Sequence, residues 1–319
     1  MSEKNGIESE SGIENVNLHG LIAVDKPPGP SSYDCIRFLK RTCRISGKWK
    51  IGHFGTLDPF ASGLVIIALG QAVKYSEFAL GCRKGYRARL YLGEETDTLD
   101  PTGKIVASKP IPSDWKNRLD DVAKKFTGSI TQTPPSYSAK QVNGHRAYYA
   151  ARKGVPLELK PVEVNIYRLE FIGATEHWVD FSCEVSSGTY IRALGRDIAV
   201  ELGTVGHLAG LERTMVGLYT IDEGIPFSAF EFGGMDVLLH HLKPPDKVLS
   251  HIPSLVLNSD RMTKLNNSDS LDKNDFTEGF SDFEMPKTVR IVDSNGKFLA
   301  LGKSDCESGK IKPFKQWLI

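Results

Sequence analysis

The chain has 319 residues, of which 40% are hydrophobic and 25% charged, with a formal net charge of +1; this is the composition of a globular protein of one or two domains. Its five cysteines (Cys35, Cys43, Cys82, Cys183 and Cys306) are odd in number and include no CxxC pair, which argues against a disulfide framework or zinc ribbon and for a reduced, cytoplasmic setting. No run approaches the roughly 18 apolar residues of a membrane helix, and the first 17 residues lack the apolar stretch of a secretory signal, so neither membrane insertion nor export is expected.

Residues 1–17 carry four Glu and one Lys and read as a solvated acidic tail. GLIAVDK from Gly20 predicts a short buried strand that runs into the turn Pro27-Pro28-Gly29-Pro30. Ser31 or Ser32 can cap the helix that follows, with Ile36, Leu39 and Cys43 on its apolar side. That helix and the next loop hold Arg37, Lys40, Arg41, Arg44, Lys48 and Lys50. GHFGTLDPFASG (52–63) is dense in Gly and Pro and reads as an ordered loop before the buried strand LVIIAL, and a helix is expected over Gln71 to Leu80. In YRARLYL (86–92), Tyr86, Ala88, Leu90 and Leu92 share one face, while Arg87, Arg89 and Tyr91 share the other. Trp115, Leu119, Val122 and Phe126 fall at helical spacing behind Ser113, a candidate cap. Val179, Phe181, Cys183 and Val185 alternate as a half-exposed strand; Ile191, Leu194, Ile198 and Leu202 form a helix stripe, with Arg192 and Arg196 off it. Residues 266–284, with six acidic side chains and one Lys, read as a linker or long acidic loop, and TVRIVDSNGKFLALGK as two strands joined at Asp293-Ser294-Asn295-Gly296. Strands and helices interleave irregularly, which predicts an α+β fold on a mixed, largely antiparallel sheet flanked by helices, with a small C-terminal β module. The expected division is an acidic tail at 1–17, a catalytic domain at 18–249 and the module at 250–319. With its acidic ends set aside, the body is basic, as a polyanion-binding protein would be.

The chain contains no GxxxxGK[ST], no GxGxxG between a strand and a helix and no HExxH, and His240 and His241 are adjacent, a poor geometry for sharing one ion. No nucleotide cofactor or metal is therefore signalled. Around Asp58, the segment Gly52-His53-Phe54-Gly55-Thr56-Leu57-Asp58-Pro59 reads most plainly as a turn; its functional reading is a stiff loop that fixes one carboxylate, which can act as a covalent nucleophile without a cofactor. Tyr86 is a core aromatic or a pocket-lining ring that stacks on a base. Arg192, in Ser187-Gly188-Thr189-Tyr190-Ile191-Arg192, is a solvated helix residue or a guanidinium that keeps a neighbouring carboxylate ionised. Basic clusters occur at Arg83, Lys84, Arg87 and Arg89 and at Lys140, His145, Arg146, Arg152 and Lys153, the second interleaved with Tyr137, Tyr148 and Tyr149, a pattern that suits RNA.

Taken together, GHFGTLDPFASGLVIIALG (52–70), DKPPGPSS (25–32), KGYRARLYLGEETDTLDPTG (84–103), QTPPSYSAKQVNGHRAYYAARKG (132–154), SSGTYIRALGRDIAVELG (186–203) and LERTMVG (211–217) resemble, in order and spacing from about residue 20 to 220, the motifs of the TruB family of tRNA pseudouridine-55 synthases. The resemblance implies a pseudouridine synthase fold, no cofactor, no metal, a monomer, and the T-arm of tRNA as partner. It implies Asp58 as nucleophile, Tyr86 as the ring that stacks on the target base and accepts a proton, and Arg192 as the partner of Asp58. Tyr190 and Leu211 then line the base pocket, His53 helps to extrude and hold the nucleotide, and Lys26 and Pro27 brace the catalytic loop. Uridine becomes pseudouridine when the N1–C1′ bond breaks, the base turns, and C5 joins C1′; the carboxylate can attack C1′ or C6. The family often ends in a small RNA-binding PUA domain. VRIVDSNGKFLALG resembles its strands, whereas Leu265-Asn266-Asn267 and an acidic stretch replace the glycine-containing turn after its first strand. Two other readings keep the scaffold: an RNA-guided synthase of the dyskerin type, and a non-catalytic protein that binds or folds tRNA.

Overall fold

A seam between two antiparallel half-sheets organises the molecule. The computed structural model describes residues 17–138, 141–142, 145–146, 157, 159–279, 286–305 and 307–317. The acidic tail up to residue 16, Lys140, Tyr148, Tyr149, Arg152, Lys153, the acidic residues at 280–284 and Cys306 lie outside them, as do the side chains of His145 and Arg146. In chain order the strands are β1 (Gly20–Lys26), β2 (Ile51–His53), β3 (Ser62–Leu69), β4 (Lys84–Leu92), β5 (Glu94–Thr96), β6 (Ile105–Ser108), β7 (Gly128–Gln132), β8 (Gln141–Val142), β9 (His145–Arg146), β10 (Val162–Ala174), β11 (Trp178–Val185), β12 (Gly206–Val216), β13 (Tyr219–Thr220) and β14 (Ile225–Pro226). A C-terminal set follows: β15 (Ser254–Leu257), β16 (Phe276–Glu278), β17 (Thr288–Val292), β18 (Phe298–Asp305) and β19 (Lys310–Gln316). The helices used below are α1 (Ser32–Thr42), α2 (Ser76–Ala79), α3 (Leu119–Phe126) and α4 (Ile191–Glu201).

The main sheet has ten strands along the path β14-β1-β3-β12-β4-β11-β10-β7, with β13 on β12 and β2 on β3. Within that path, β12 meets β3 in parallel at only two pairs, Glu212 with Ser62 and Arg213 with Gly63. Gly63 is the residue this approach requires: its φ is +100°, and a Cβ there would lie 2.4 Å from the carbonyl oxygen of Arg213. β1 and β14 are also parallel, and the other pairs along the path are antiparallel, so the mixed, largely antiparallel sheet expected of the sequence is present. LVIIAL in β3 is apolar throughout because both of its faces are covered, one by the core that includes Leu39, the other by that of Tyr75 and Val248.

α1 begins with Ser31 as its cap: the Ser31 hydroxyl accepts from the Asp34 N–H, and the Asp34 carboxylate accepts from the Ser31 N–H at 2.9 Å. α4 lays Ile191, Leu194, Ile198 and Leu202 into the core that Tyr86, Ala88 and Leu90 of β4 share. Three expected elements differ. The helix over Gln71 to Leu80 is divided into a 3₁₀ segment, Gly70–Tyr75, and the single turn α2, because the Tyr75 ring is fully buried against Phe298 and Trp317 and its hydroxyl donates to the Lys315 carbonyl at 3.2 Å. The segment from Trp115 to Phe126 likewise opens with a 3₁₀ turn, Trp115–Arg118, and Ser113 does not cap it.

The third is the acidic stretch 266–284, which contains a 3₁₀ turn, Lys273–Asp275, and the strand β16. Asp275 is 1% exposed. Burial raises its pKa, but the Asp272 N–H and Lys264 outweigh that and hold it below the ordinary carboxylate range. An acidic composition reads as solvated loop when the lysine that neutralises it lies eleven residues away, as Lys264 does. The C-terminal sheet has the order β16-β15-β17-β18-β19 and shares the core of Tyr75 with the main sheet through Phe298, Leu301 and Trp317.

Candidate active site

The cleft opens at the seam. Its volume is about 350 Å³, and its lining includes Asp58, Tyr86, Tyr137, Tyr190, Arg192 and Leu211. The structure therefore brings together five residues that the sequence singled out for catalysis or base binding, from the loop before β3, from β4, from the start of α4 and from β12. His53 is not among the lining residues: it lies in β2, paired with Ile67, with Nδ1 buried and no hydrogen-bond partner. Burial, with Arg213 nearby, pushes its pKa down, towards the neutral imidazole.

Asp58 and Arg192 make a bidentate pair, Nε to Oδ2 at 2.8 Å and Nη2 to Oδ1 at 3.1 Å, across 134 residues of sequence. The Arg192 side chain is 7% exposed and that of Asp58 32%, so the guanidinium is the buried, fixed member and the carboxylate reaches the cleft. Arg192 also donates from Nη1 to the Thr98 carbonyl at 2.8 Å and from Nη2 to the Tyr137 carbonyl at 3.0 Å. Four hydrogen bonds leave a planar fork little freedom to turn.

Sequence reasoning did not find Asp100. Its Oδ1 accepts from the Thr98 hydroxyl (2.7 Å), the Thr102 N–H (3.0 Å) and the Thr102 hydroxyl (2.5 Å), and its Oδ2 lies 3.5 Å from Nη1 of Arg192. This knot holds the turn whose Thr98 carbonyl receives Arg192, and it carries Leu99 at φ +60°, a conformation that costs a non-glycine residue about 1 kcal/mol. Asp-Pro-Thr-Gly reads as an ordinary turn; nothing local reveals that it faces a helix more than 90 residues away.

Lys26 is fully buried, and Nζ donates to four carbonyls: Pro27 (2.9 Å), Pro30 (2.9 Å), Pro59 (3.3 Å) and Ala61 (2.5 Å). One ammonium thus ties the N-terminal turn to both ends of the Pro59–Ala61 bend beside Asp58. Pro27 itself is exposed and contributes its carbonyl. On the floor, Arg213 is fully buried and donates to Leu64, Thr56 and Gly55 carbonyls at 2.7, 3.2 and 3.1 Å. The Tyr86 phenol is raised in pKa by burial above all, with Arg213 opposing it through its charge and a hydrogen bond, and burial likewise raises Tyr190.

The expected basic cluster at Arg83, Lys84, Arg87 and Arg89 is divided between the faces of β4. Lys84 is 7% exposed and lines the cleft floor. Arg87 and Arg89 face solvent, paired with Glu212 at 3.4 Å and Asp180 at 2.7 Å, and Arg83 stacks 3.8 Å over the Tyr167 ring. The alternation was visible in the sequence, but the carboxylates that neutralise these arginines come from β12 and β11. Among the described residues no group of three or more His, Cys, Asp or Glu side chains could hold a metal ion, and no helix is long and apolar enough to cross a membrane.

A cleft of this kind, on a mixed sheet of this topology, defines a pseudouridine synthase fold. The same fold is seen in a chain of the crystal structure of a Cbf5-Nop10-Gar1 complex, with a TM-score of 0.72 at 24% identity over 94% of this chain and 85% of that one. Residues 40–191 match the TruB family pseudouridylate synthase N-terminal domain. The tRNA pseudouridine synthase B of Caldanaerobacter subterraneus subsp. tengcongensis is 36% identical over 301 residues, covering 93% of this chain and 99% of the relative. That of Aquifex aeolicus is 35% identical over 93% and 98%, and that of Bordetella avium 43% identical over 67% and 87%. The chain belongs to the TruB family of pseudouridylate synthases.

Proposed function

We propose that this protein isomerises uridine to pseudouridine in the T-loop of tRNA, at position 55, as a cytoplasmic monomer that needs no cofactor. What carries the reading is the Asp58–Arg192 pair, whose buried guanidinium presents a half-buried carboxylate to a cleft closed on its inner side by Tyr86. The names of the relatives supply the substrate class. A uridine within a folded RNA loop must first be extruded, at a cost of a few kcal/mol (about 2–4) that stacking against aromatic side chains offsets. Tyr86, Tyr190 and Leu211 provide those surfaces. Asp58 then attacks C1′ or C6, Arg192 holding its two oxygens so that one lone pair faces the nucleotide. Tyr86 accepts the C5 proton once C5 has joined C1′. Arg192 does no proton chemistry; its place is to orient Asp58.

Lys26 and the Pro27 carbonyl brace the loop, and His53, which does not line the cleft, is assigned to holding the extruded nucleotide. Residues 18–249 form the catalytic domain and 250–319 a PUA-like module. The test is pseudouridine mapping of an unmodified tRNA transcript incubated with the pure protein. A new pseudouridine at position 55 is expected, and none with Asp58→Asn. Conversion by Asp58→Asn at the wild-type rate would remove the nucleophile assignment, and modification only in the presence of a guide RNA would transfer the chain to the dyskerin-type reading. Binding is expected to weaken steeply as salt rises, since phosphate contacts release counterions.

A further inference from the structure

Among the described residues, two buried cations on the cleft floor have no carboxylate partner. Arg213 is fully buried and donates to the neutral carbonyls of Leu64, Thr56 and Gly55. Lys84 is 7% exposed and donates to the carbonyls of Leu80 and Cys82 at 3.3 and 3.1 Å. Among the described residues the ion pairs of the cleft both belong to Arg192, which engages Asp58 and Asp100. A guanidinium cannot lose its proton to escape burial, and a charge taken out of water without a counterion is costly. The cost is compounded here because the two cations converge. A Cβ on Gly55 would lie 3.4 Å from Cε of Lys84 and 3.6 Å from Nη1 of Arg213, and burial above all lowers the pKa of Lys84, with Cys82 opposing it and Arg213 adding to it.

Tyr86 lines the same cleft as both. It is two residues along β4 from Lys84, on the same face, and is the cross-strand partner of Arg213 in β12. The charged and titratable groups around it are Arg213 from β12, Lys84 from its own strand, Cys82 just before that strand, Cys183 from β11, Asp58 from the loop before β3, and Tyr190 and Arg192 at the start of α4. The Cys183 thiol is pushed up to about 12 by burial and stays neutral. Burial raises the Cys82 thiol, which interacts with Lys84 and Arg213, and the Tyr190 phenol as well; Asp58 is engaged by Arg192, and among these groups Tyr86 is the phenol paired across the strands with Arg213.

We propose that Lys84 and Arg213 are positioning residues that act through Tyr86, forming a cationic floor that stabilises its phenolate and so sets the pH at which it takes the C5 proton. The inference rests on the reading of Tyr86 as the proton acceptor. The step balances. After C5 has bonded to C1′, the phenolate takes the C5 proton, the C5–H pair becomes the C5=C6 double bond, and the N1=C6 pair moves to N1, which takes a proton from water. The phenol then returns its proton to solvent, the cations restoring its acidity against burial.

The test is single-turnover conversion of a tRNA transcript from about pH 6 to about pH 10. Lys84→Met keeps the aliphatic stem and removes the charge; Arg213→Lys and Arg213→Met keep and remove it at the second position. Lys84→Met is expected to lower the rate at neutral pH by about 10- to 100-fold, to move the rise of rate with pH to higher pH, and to leave RNA affinity within about two-fold. Arg213→Lys is expected to recover most of what Arg213→Met loses. A fluorinated tyrosine at position 86, more acidic than tyrosine, is expected to restore the Lys84→Met rate. An unshifted pH profile in Lys84→Met, with no rescue by the fluorinated residue, overturns the floor and leaves Tyr86 as assigned. Tyr86→Phe at the wild-type rate overturns Tyr86 and the floor together. Should Arg213→Met fail to fold, Lys84→Met alone decides.

Discussion

The same three strands carry two opposite treatments of charge. On the open face of β4, β11 and β12, Arg87, Arg89, Glu212 and Asp180 form pairs whose side chains are 30–63% exposed. On the cleft face, Lys84 and Arg213 of these strands and Arg192 of α4 are buried, and among the described residues only Arg192 of the three has carboxylate partners. Exposed pairs are screened by water and contribute about 0–1 kcal/mol each, so the open face is a surface whose charges cancel. Buried charges keep most of their field. The cleft face spends stability to hold a carboxylate, a phenol and an excess of positive charge in fixed places, which is what catalysis on an uncharged base requires. Stability is therefore supplied elsewhere, by β3, α4 and the aromatic contacts of Tyr75.

That contrast can be broken from its strongest end. Asp58→Asn keeps shape and removes the proposed nucleophile; single-turnover pseudouridine formation is expected to fall by more than about 1,000-fold with tRNA affinity unchanged. Arg192→Lys keeps the charge but loses the fork. A loss of about 100-fold in the same assay is expected, because a single ammonium cannot hold both oxygens of Asp58 together with the Thr98 and Tyr137 carbonyls. Asp100→Asn should cost about 10-fold, since the turn keeps its shape while the second carboxylate beside Arg192 is lost.

Lys26→Met tests stability rather than chemistry. It strips four carbonyls of their donor and is expected to lower unfolding free energy by about 2–4 kcal/mol in denaturant melts. An unchanged melt would show that water replaces the ammonium. Asp275 sharpens the contrast by pH. Its folded pKa lies below its unfolded one, so its contribution is complete above the unfolded value and is lost as pH falls through the folded one. Asp275→Asn should therefore lower the melting temperature at neutral pH and converge with the wild type in strong acid. Arg89→Ala, on the open face, should leave both the melting temperature and turnover essentially unaltered.

Local rules were enough for the local parts. The Ser31–Asp34 cap, the buried run of β3, the alternation in β4 and β11 and the apolar stripe of α4 all follow from the periodicity of a few neighbouring residues, and the order of six motifs identified the family. The resemblance of those motifs also pointed to Asp58, Tyr86 and Arg192, and the Gly and Pro around Asp58 marked a loop of restricted freedom. Lys84 looked like one more surface lysine in a basic run, and Asp100 like a turn residue.

What decided the rest was contact between distant segments. Arg213 receives its meaning from carbonyls 149 to 158 residues earlier in the chain, and Asp275 from a lysine whose approach depends on how α-helical and strand segments pack. The sequence by itself determined which residue types are present and which short elements they form. Only the folded structure determined which charges are buried, which are paired and which are left unpaired, because desolvation and Coulomb energy depend on distance in space and on exclusion of water, and neither quantity is a property of neighbours along the chain.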